Sequence, residues 1–232
     1  MKRLFLTVLV SLAAGMGCPA ALFSTTYNSG FANNGVVPDG TLDGLSDTRA
    51  ISGVGGPITD IQVTLNFSGG YNSDLYVYLL HGSEMVVLIN RLGVSSGNPF
   101  GYADAGMNVT LAASAANGNI HNYGGDFTPT GTYTADGRAI DPLASPSAFD
   151  AAGTTGMADF YGADANGNWT LYVADMVGSG NPSTLVSWSL EITAVPEPTT
   201  IALGCFAGAF CVAGCLQKIR AQKLRQIPEL DT

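Results

Sequence analysis

The chain has 232 residues, and its charge is distributed very unevenly along them. Residues 22–194 contain three arginines and no lysine, against fifteen aspartate and glutamate residues. Because proteins gain affinity for nucleic acid by neutralising phosphates with Lys and Arg, we expect no nucleic-acid partner and regard cations as the natural ligands. This segment also lacks cysteine, so a disulfide-free domain of about 170 residues must be held by its own hydrophobic core.

The first 21 residues predict a secretory signal peptide. A basic start precedes a short apolar run, residues 4–17, which is followed by small residues. Such a run is too short to span a membrane and has the arrangement of an export signal. We expect cleavage after Ala20 or Ala21. Cys18 leaves a lipoprotein signal as an alternative, although no leucine stands three residues before it.

Residues 22–194 alternate between apolar and polar side chains in several short stretches, which predicts strands with one buried face. The stretches are 61–67, 75–79, 107–111, 169–174 and 186–192, and residues 85–89 form a continuous apolar run. The glycine-rich turn between the first two stretches predicts a β-hairpin. Val186, Trp188 and Trp169 are predicted to face the core. The sequence therefore predicts an all-β domain, an antiparallel β-sandwich or jelly roll.

Two parts of this domain resemble the proprotein convertase P domain, also called the P/Homo B domain. Residues 162–175 and 185–192 look like its closing strands, and residues 58–63 and 73–79 resemble its opening strands. The resemblance implies a β-sandwich that, in subtilisin-like proteases, stabilises and regulates a separate catalytic domain. One departure is His81-Gly82-Ser83, which replaces the usual Ser-Pro before a glycine. A β-sandwich of the carbohydrate-binding or adhesin kind is the alternative.

The domain offers few residues for catalysis. His81 and His121 are its only imidazoles, and neither stands beside a nucleophile motif, so we interpret both as surface or turn residues. Two histidines without cysteine also argue against a zinc site of the usual composition. We predict that the protein is not an enzyme. Two alternatives are a detached P domain that is accessory to a separately encoded protease and a weak hydrolase.

Calcium is the metal that this sequence predicts, because calcium takes six to eight oxygen ligands and the loops are rich in carboxylates and amides. The candidate ligands are Asp74, Asp159, Asp164, Asn166 and Asp175. Asp164 and Asn166 alternate like the start of a calcium loop, although the same residues also suit an Asx turn. Some P domains bind calcium, so the resemblance implies that Asp74, Asp159 and Asp175 gather at one end of a sheet.

Three tyrosines lie out of phase with the buried residues of their strands: Tyr76, Tyr78 and Tyr172. Their side chains should therefore point away from the core. If this sheet face is open to solvent, they form a candidate glycan-contact surface. Coverage of the face by loops is the alternative.

Residues 195–232 have three parts in a fixed order. Val195-Pro196-Glu197-Pro198 precedes an apolar stretch over about 199–217, and a basic tail, residues 218–225, follows. A bilayer core of about 30 Å needs roughly 20 apolar residues in a helix. We therefore predict one transmembrane helix after the domain, residues 22–194, with the basic tail in the cytoplasm and the domain outside.

This order resembles the PEP-CTERM sorting signal of exopolysaccharide-producing Gram-negative bacteria, which an exosortase processes near the Pro-Glu-Pro. The polar extension over residues 226–232 departs from that pattern. The resemblance implies an exosortase as partner and a precursor anchored in the inner membrane, followed by release to the cell surface or the extracellular space. Exopolysaccharide or a protease is then a further partner. The predicted role is non-catalytic, either binding or structural.

Overall fold

The computed structural model describes residues 20–195. Most of the predicted signal peptide, together with Pro196, Glu197, Pro198, the predicted transmembrane helix and the basic tail, lies outside the described residues. Nine strands make up the described domain: β1 Ala21–Tyr27, β2 Thr41–Ile51, β3 Ile58–Gly69, β4 Leu75–His81, β5 Glu84–Asn90, β6 Met107–Ala112, β7 Thr130–Thr134, β8 Gly167–Asp175 and β9 Ser183–Ala194. Between them lie four short 3-10 turns: Ala32–Gly35, Ile120–Asn122, Pro146–Asp150 and Met157–Phe160.

The strands form two sheets, which confirms the predicted all-β sandwich. One sheet has the order β1-β9-β3-β6-β7 and the other β2-β8-β4-β5. All neighbouring strands are antiparallel except β6 and β7, which run parallel. Residues 113–129, which connect that pair, are long enough for the crossover that parallel strands require. The prediction of purely antiparallel sheets is therefore wrong at this edge.

The core lies between the two sheets, where the inward side chains of each strand meet. Burial alternates along β3 and β4, as the sequence pattern predicts. Trp169 from one sheet and Trp188 from the other are 0% and 1% exposed, so their predicted core positions are confirmed. Burying an aromatic side chain of this size contributes more than almost any other single residue to the hydrophobic stabilisation of a core.

The predicted hairpin between β3 and β4 is wrong. β3 belongs to the five-stranded sheet and pairs with β6 and β9, whereas β4 belongs to the four-stranded sheet and pairs with β5 and β8. The turn at Gly69 and Gly70, both with positive φ, passes the chain from one sheet to the other. A glycine-rich turn between two alternating stretches does not reveal whether the second strand pairs with the first or crosses to the facing sheet.

Val186 is also not in the core, because β9 carries an irregularity at this point. Asn66 pairs with Ser187 and the next residue of β3, Phe67, pairs with Leu185, so Val186 is the extra residue of a β-bulge. Val186 is 42% exposed, and Leu185 takes the inward position.

The sandwich has two distinct ends. At the terminal end, Ala21 lies opposite Ala194, and the main-chain N–H of Val195 donates a hydrogen bond to the carbonyl of Pro57 at 3.2 Å. At the other end, which we call the distal end, Gly69 lies opposite Ser183.

None of the helical turns within residues 20–195 has the length and apolar character that a membrane span requires.

Candidate functional site

Two of the predicted calcium ligands, Asp74 and Asp175, lie together at the distal end. Asp175 is the last residue of β8 and lies opposite Leu75, the first residue of β4. The main-chain N–H of Met176 donates to the carbonyl of Asp74 at 2.7 Å, which fixes the two segments against each other. Asp74 and Asp175 are both buried, with exposed fractions of 6% and 0%. Pairing of β4 with β8 thus brings together two carboxylates that are far apart in sequence.

The carboxylate of Asp175 is incompletely satisfied. Its Oδ2 accepts one long hydrogen bond, 3.4 Å, from the main-chain N–H of Ser183. Its Oδ1 and the adjacent Ser183 hydroxyl are buried and have no hydrogen-bond partner among the described residues. Gly70 covers that hydroxyl so closely that a Cβ at this position would collide with it. Buried polar atoms left without a partner cost free energy, so these two oxygens favour a bound group.

The protonation of Asp175 reflects this burial. Loss of solvation raises the pKa of Asp175 to about 6, and the negative charges of Asp74 and Asp39 add to this effect. The main-chain N–H groups of Ser183 and Val177 act in the opposite direction. Burial also raises the pKa of Asp74, although a hydrogen bond from the Ser73 hydroxyl at 3.2 Å and the charge of Arg91 oppose it. Carboxyl groups in such surroundings are stabilised either by a proton or by a cation.

Asp39 is a third carboxylate whose charge acts on this pair, and the sequence analysis missed it. Its two carboxylate oxygens accept hydrogen bonds from the main-chain N–H groups of Ser179, at 3.2 Å, and Gly180, at 2.7 Å. Through these two hydrogen bonds, Asp39 holds the loop between β8 and β9 in place. Pro38-Asp39-Gly40 is a typical turn sequence, which predicts the turn but not its position beside Asp175.

The other three predicted calcium ligands lie towards the terminal end. Asp164 Oδ1 accepts hydrogen bonds from the main-chain N–H and the side-chain amide of Asn166, at 3.0 and 2.6 Å, in the Asx turn that was the alternative. The Asn166 side chain accepts a hydrogen bond from the main-chain N–H of Val54 and donates one to the Val54 carbonyl. Asp159 accepts from the main-chain N–H of Gly156 at 2.9 Å. β8 spans about 27 Å between this end and Asp175, so these residues do not join the buried pair.

Carboxylate and hydroxyl oxygens are the donors that calcium prefers, and Asp74, Asp175 and Ser183 supply them. Within residues 20–195, no three Asp, Glu, His or Cys side chains converge as a metal-binding group. A cation between Asp74 and Asp175 would therefore complete its shell with the Ser183 hydroxyl, main-chain carbonyls or water.

The three predicted surface tyrosines form a cluster on the outer face of the four-stranded sheet, so their predicted direction is confirmed. Tyr78 and Tyr172 stack with ring centroids 4.7 Å apart, and Tyr76 meets them edge-on at 5.8 and 6.5 Å. All three are partly exposed. The Tyr172 hydroxyl donates to the main-chain carbonyl of Leu42.

The two histidines are buried, so the prediction that they lie at the surface is wrong, whereas both do lie at turns: His81 directly before Gly82 and Ser83, and His121 within a 3-10 turn. His81 is 7% exposed, and its ring nitrogens lie 3.0 and 2.6 Å from the carbonyls of Asn168 and Asp164. His121 is 2% exposed and contacts the Asp136 carboxylate at 2.8 Å and the Val94 carbonyl at 2.9 Å.

Of the predicted sorting motif, the structure describes Val195 alone, directly after the last residue of β9. Pro196, Glu197 and Pro198 lie outside the described residues, so the sorting motif stays a prediction.

No family model matches this chain, and no curated protein does. Among solved structures, it is similar to the Aeromonas sobria serine protease in complex with its chaperone, with 17% identity and a TM-score of 0.44. That match covers 81% of this chain and 29% of the protease chain. The structure of the Aeromonas sobria serine protease gives 17% identity, a TM-score of 0.41, and coverage of 80% and 29%. The chain thus spans less than a third of the solved chains that it matches.

Proposed function

We propose that this protein is an exported, non-catalytic module that binds a polysaccharide of the cell surface or the extracellular matrix. The observation that carries the proposal is the tyrosine cluster on the outer face of the four-stranded sheet. In this proposal an exosortase processes the chain at Val195-Pro196-Glu197-Pro198, after the predicted transmembrane helix has held the precursor in the inner membrane.

The chemistry of the tyrosine cluster supports a hydroxyl-rich ligand. Tyrosine offers a large, rigid contact area at a low entropic cost, and its hydroxyl both donates and accepts hydrogen bonds. Burial raises the pKa of Tyr76 and of Tyr172, so both phenols stay neutral at physiological pH. Three phenols on one sheet face suit the hydroxyls and the apolar ring faces of sugars.

Calcium has a stabilising role in this proposal. A cation at the distal end would neutralise Asp74 and Asp175, and the buried Asp175 Oδ1 would coordinate it. A ligand that binds only the folded state adds RT ln(1 + [L]/Kd) to the free energy of unfolding. The distal end would thereby support the start of β4 and the end of β8, the two strands that carry the tyrosines.

The proposal is tested by titrating the purified protein with a panel of polysaccharides and measuring affinity by calorimetry. Tyr78→Ser should lower the affinity for the preferred polymer roughly tenfold, the effect of losing one central aromatic contact. Tyr71→Ser, which changes a 37% exposed tyrosine elsewhere on the surface, is the matched control and should bind like the original protein.

Two results would contradict the proposal: no polysaccharide in the panel binds, or the two tyrosine variants bind equally well. A change in the activity of a subtilisin-like protease on addition of this protein, in the absence of polysaccharide binding, would instead support the accessory role.

A further inference from the structure

A groove opens where the tyrosine-bearing strands reach the terminal end. It is a shallow depression, open to solvent, with a volume of about 560 Å³. The side chains that matter for its chemistry are Leu80, His81, Glu84, Asp164, Asn168 and Thr170. Its lining therefore combines hydrogen-bond acceptors with a larger apolar surface.

The inner wall of this groove is rigid. The imidazole of His81 is stacked on the buried Trp169, with centroids 3.9 Å apart and planes 4° from parallel. Gly167, with φ +118°, leaves the edge of this imidazole uncovered, because a Cβ there would lie 3.6 Å from His81 Cε1. A fixed wall of this kind orders few side chains on binding and so lowers the entropic cost.

The groove lies where the face that bears the tyrosine cluster meets the terminal end of the sheet. His81, which stacks on the core residue Trp169, and its strand partner Glu84 line the groove from the opposite face, at the end of the sheet. Leu80 and Thr170 form a cross-strand pair, as do Tyr78 and Tyr172 two residues away along each strand. Because side chains two residues apart point to the same face of a strand, Leu80 and Thr170 lie on the face that bears the tyrosines. From the row of Tyr76 to Asn168, the face extends about 20 Å along β8. Ligand contacts along such a distance suit a linear polymer of several units and not a single sugar.

Carboxylates lie near both the groove and the tyrosine cluster. Glu84 and Asp164 line the groove. Beside the tyrosine cluster, the charges of Asp43 and Asp141 act on the phenols, adding to the effect of burial in raising the pKa of Tyr172 and Tyr76 respectively.

The arginines of the described domain do not balance these charges. Arg49 is paired with Asp47 at 2.8 Å and Arg138 with Asp136 at 3.0 Å, and the Arg91 guanidinium donates to the carbonyl of Ser73. Residues 20–195 contain no lysine. An acidic polymer would therefore be repelled along this face, and a cationic one attracted.

We propose that the groove and the tyrosine cluster form one linear site for a cationic polysaccharide, a chain of amino sugars with free amino groups. This inference rests on the proposed function and specifies the ligand class. The tyrosines contact the sugar rings, and the carboxylates of Glu84 and Asp164 at the groove attract the ammonium groups.

The test compares three hexasaccharides at about pH 6, where solvent-exposed carboxylates are ordinarily ionised: glucosamine, N-acetylglucosamine and galacturonate hexamers. The glucosamine hexamer should bind most tightly, and added salt should weaken it, because exposed charges are screened. A glucosamine dimer should bind far more weakly than the hexamer, because it reaches only part of the face.

Glu84→Gln should lower the affinity for the glucosamine hexamer about two- to fivefold, the usual worth of an exposed ion pair, without changing that for the acetylated hexamer. Glu191→Gln, which changes an exposed glutamate of the other sheet, is the matched control and should have no effect. Thr170→Arg, which places a long cation in the groove, should reduce binding of the glucosamine hexamer more strongly than Glu84→Gln does.

If the acetylated hexamer binds as tightly as the glucosamine hexamer, or if Glu84→Gln and Glu191→Gln behave alike, the cationic site is refuted. The proposed function then still stands, provided that Tyr78→Ser weakens binding of a neutral polymer. If no oligosaccharide binds, both proposals fail.

Discussion

Asp175 combines complete burial with an unsatisfied carboxylate oxygen, and this makes a definite prediction about pH. Its pKa is about 6 in the folded protein, above the ordinary 3.8. The protonated group therefore contributes stability that is fully present below the ordinary pKa and is lost as the pH rises through about 6. In chelator, the free energy of unfolding should fall as the pH rises from about 4 to about 7, with most of the fall before pH 6, and Asp175→Asn should remove this part of the pH dependence.

The measurement is urea unfolding in chelator at a series of pH values. Asp159→Asn is the control, because that carboxylate accepts a hydrogen bond near the terminal end and should leave the pH dependence unchanged. Identical pH profiles for Asp175→Asn and the original protein would refute the assigned protonation.

The same residues predict how the protein responds to calcium. At a hundredfold excess over Kd, calcium should add about 2.7 kcal/mol to the free energy of unfolding. Magnesium should add less, because it demands a tighter octahedral shell and loses water reluctantly. Asp74→Asn and Asp175→Asn should remove the calcium response in a thermal melt, whereas Asp159→Asn and Asp164→Asn should retain it. Equal shifts with calcium and magnesium, or a full response in all four variants, would rule out the distal site.

The sequence predicts which residues have suitable ligand atoms for calcium better than it predicts which of them lie close together in the fold. Five oxygen donors were proposed from loop composition, and the structure brings together only Asp74 and Asp175. Their proximity depends on the register of β4 against β8, which one sequence does not reveal. Asp164 and Asn166 have suitable spacing for calcium, but Asp164 Oδ1 accepts two hydrogen bonds from Asn166, and Asn166 Oδ1 accepts one from the main-chain N–H of Val54.

Among the strands, β9 offers the clearest test of the core. Trp188 is 1% exposed, packs on Tyr27 at a centroid distance of 4.8 Å, and donates to Asp47 Oδ2 at 2.7 Å. Trp188→Ala should lower the free energy of unfolding by roughly 3 to 5 kcal/mol. Ser187→Ala, on the adjacent residue, should change it by less than about 0.5 kcal/mol. Similar urea midpoints for the two variants would show that the assigned face of β9 is wrong.

Alternation predicts which face of a strand is buried, but it does not predict the partner of that strand. The stretches around β3, β4, β6 and β8 were found because each buries one face and exposes the other. β1, β2 and β7 were not found: β1 lies at an edge, β2 is interrupted between Thr41 and Leu45, and most of β7 is exposed. The bulge that turns Val186 outward depends on pairing with β3, a long-range contact that leaves no local pattern.

The whole molecule separates its roles in space. The distal end contains the buried carboxylates, the terminal end joins the domain to the predicted export and sorting segments, and the outer face of the four-stranded sheet holds the tyrosine cluster and the groove. The five-stranded sheet supplies the facing half of the core. In our account, the calcium site acts on stability and the outer face acts on binding.

The most direct test of the outer-face assignment is an NMR titration of the purified protein with the oligosaccharide that it binds most tightly. Changes in main-chain amide shifts report which surface the ligand contacts. We predict that the largest changes fall within residues 76–84 and 164–172, which belong to the outer face and its groove. Changes confined to the distal loops or to the outer side of the five-stranded sheet would contradict this assignment and place the binding surface elsewhere.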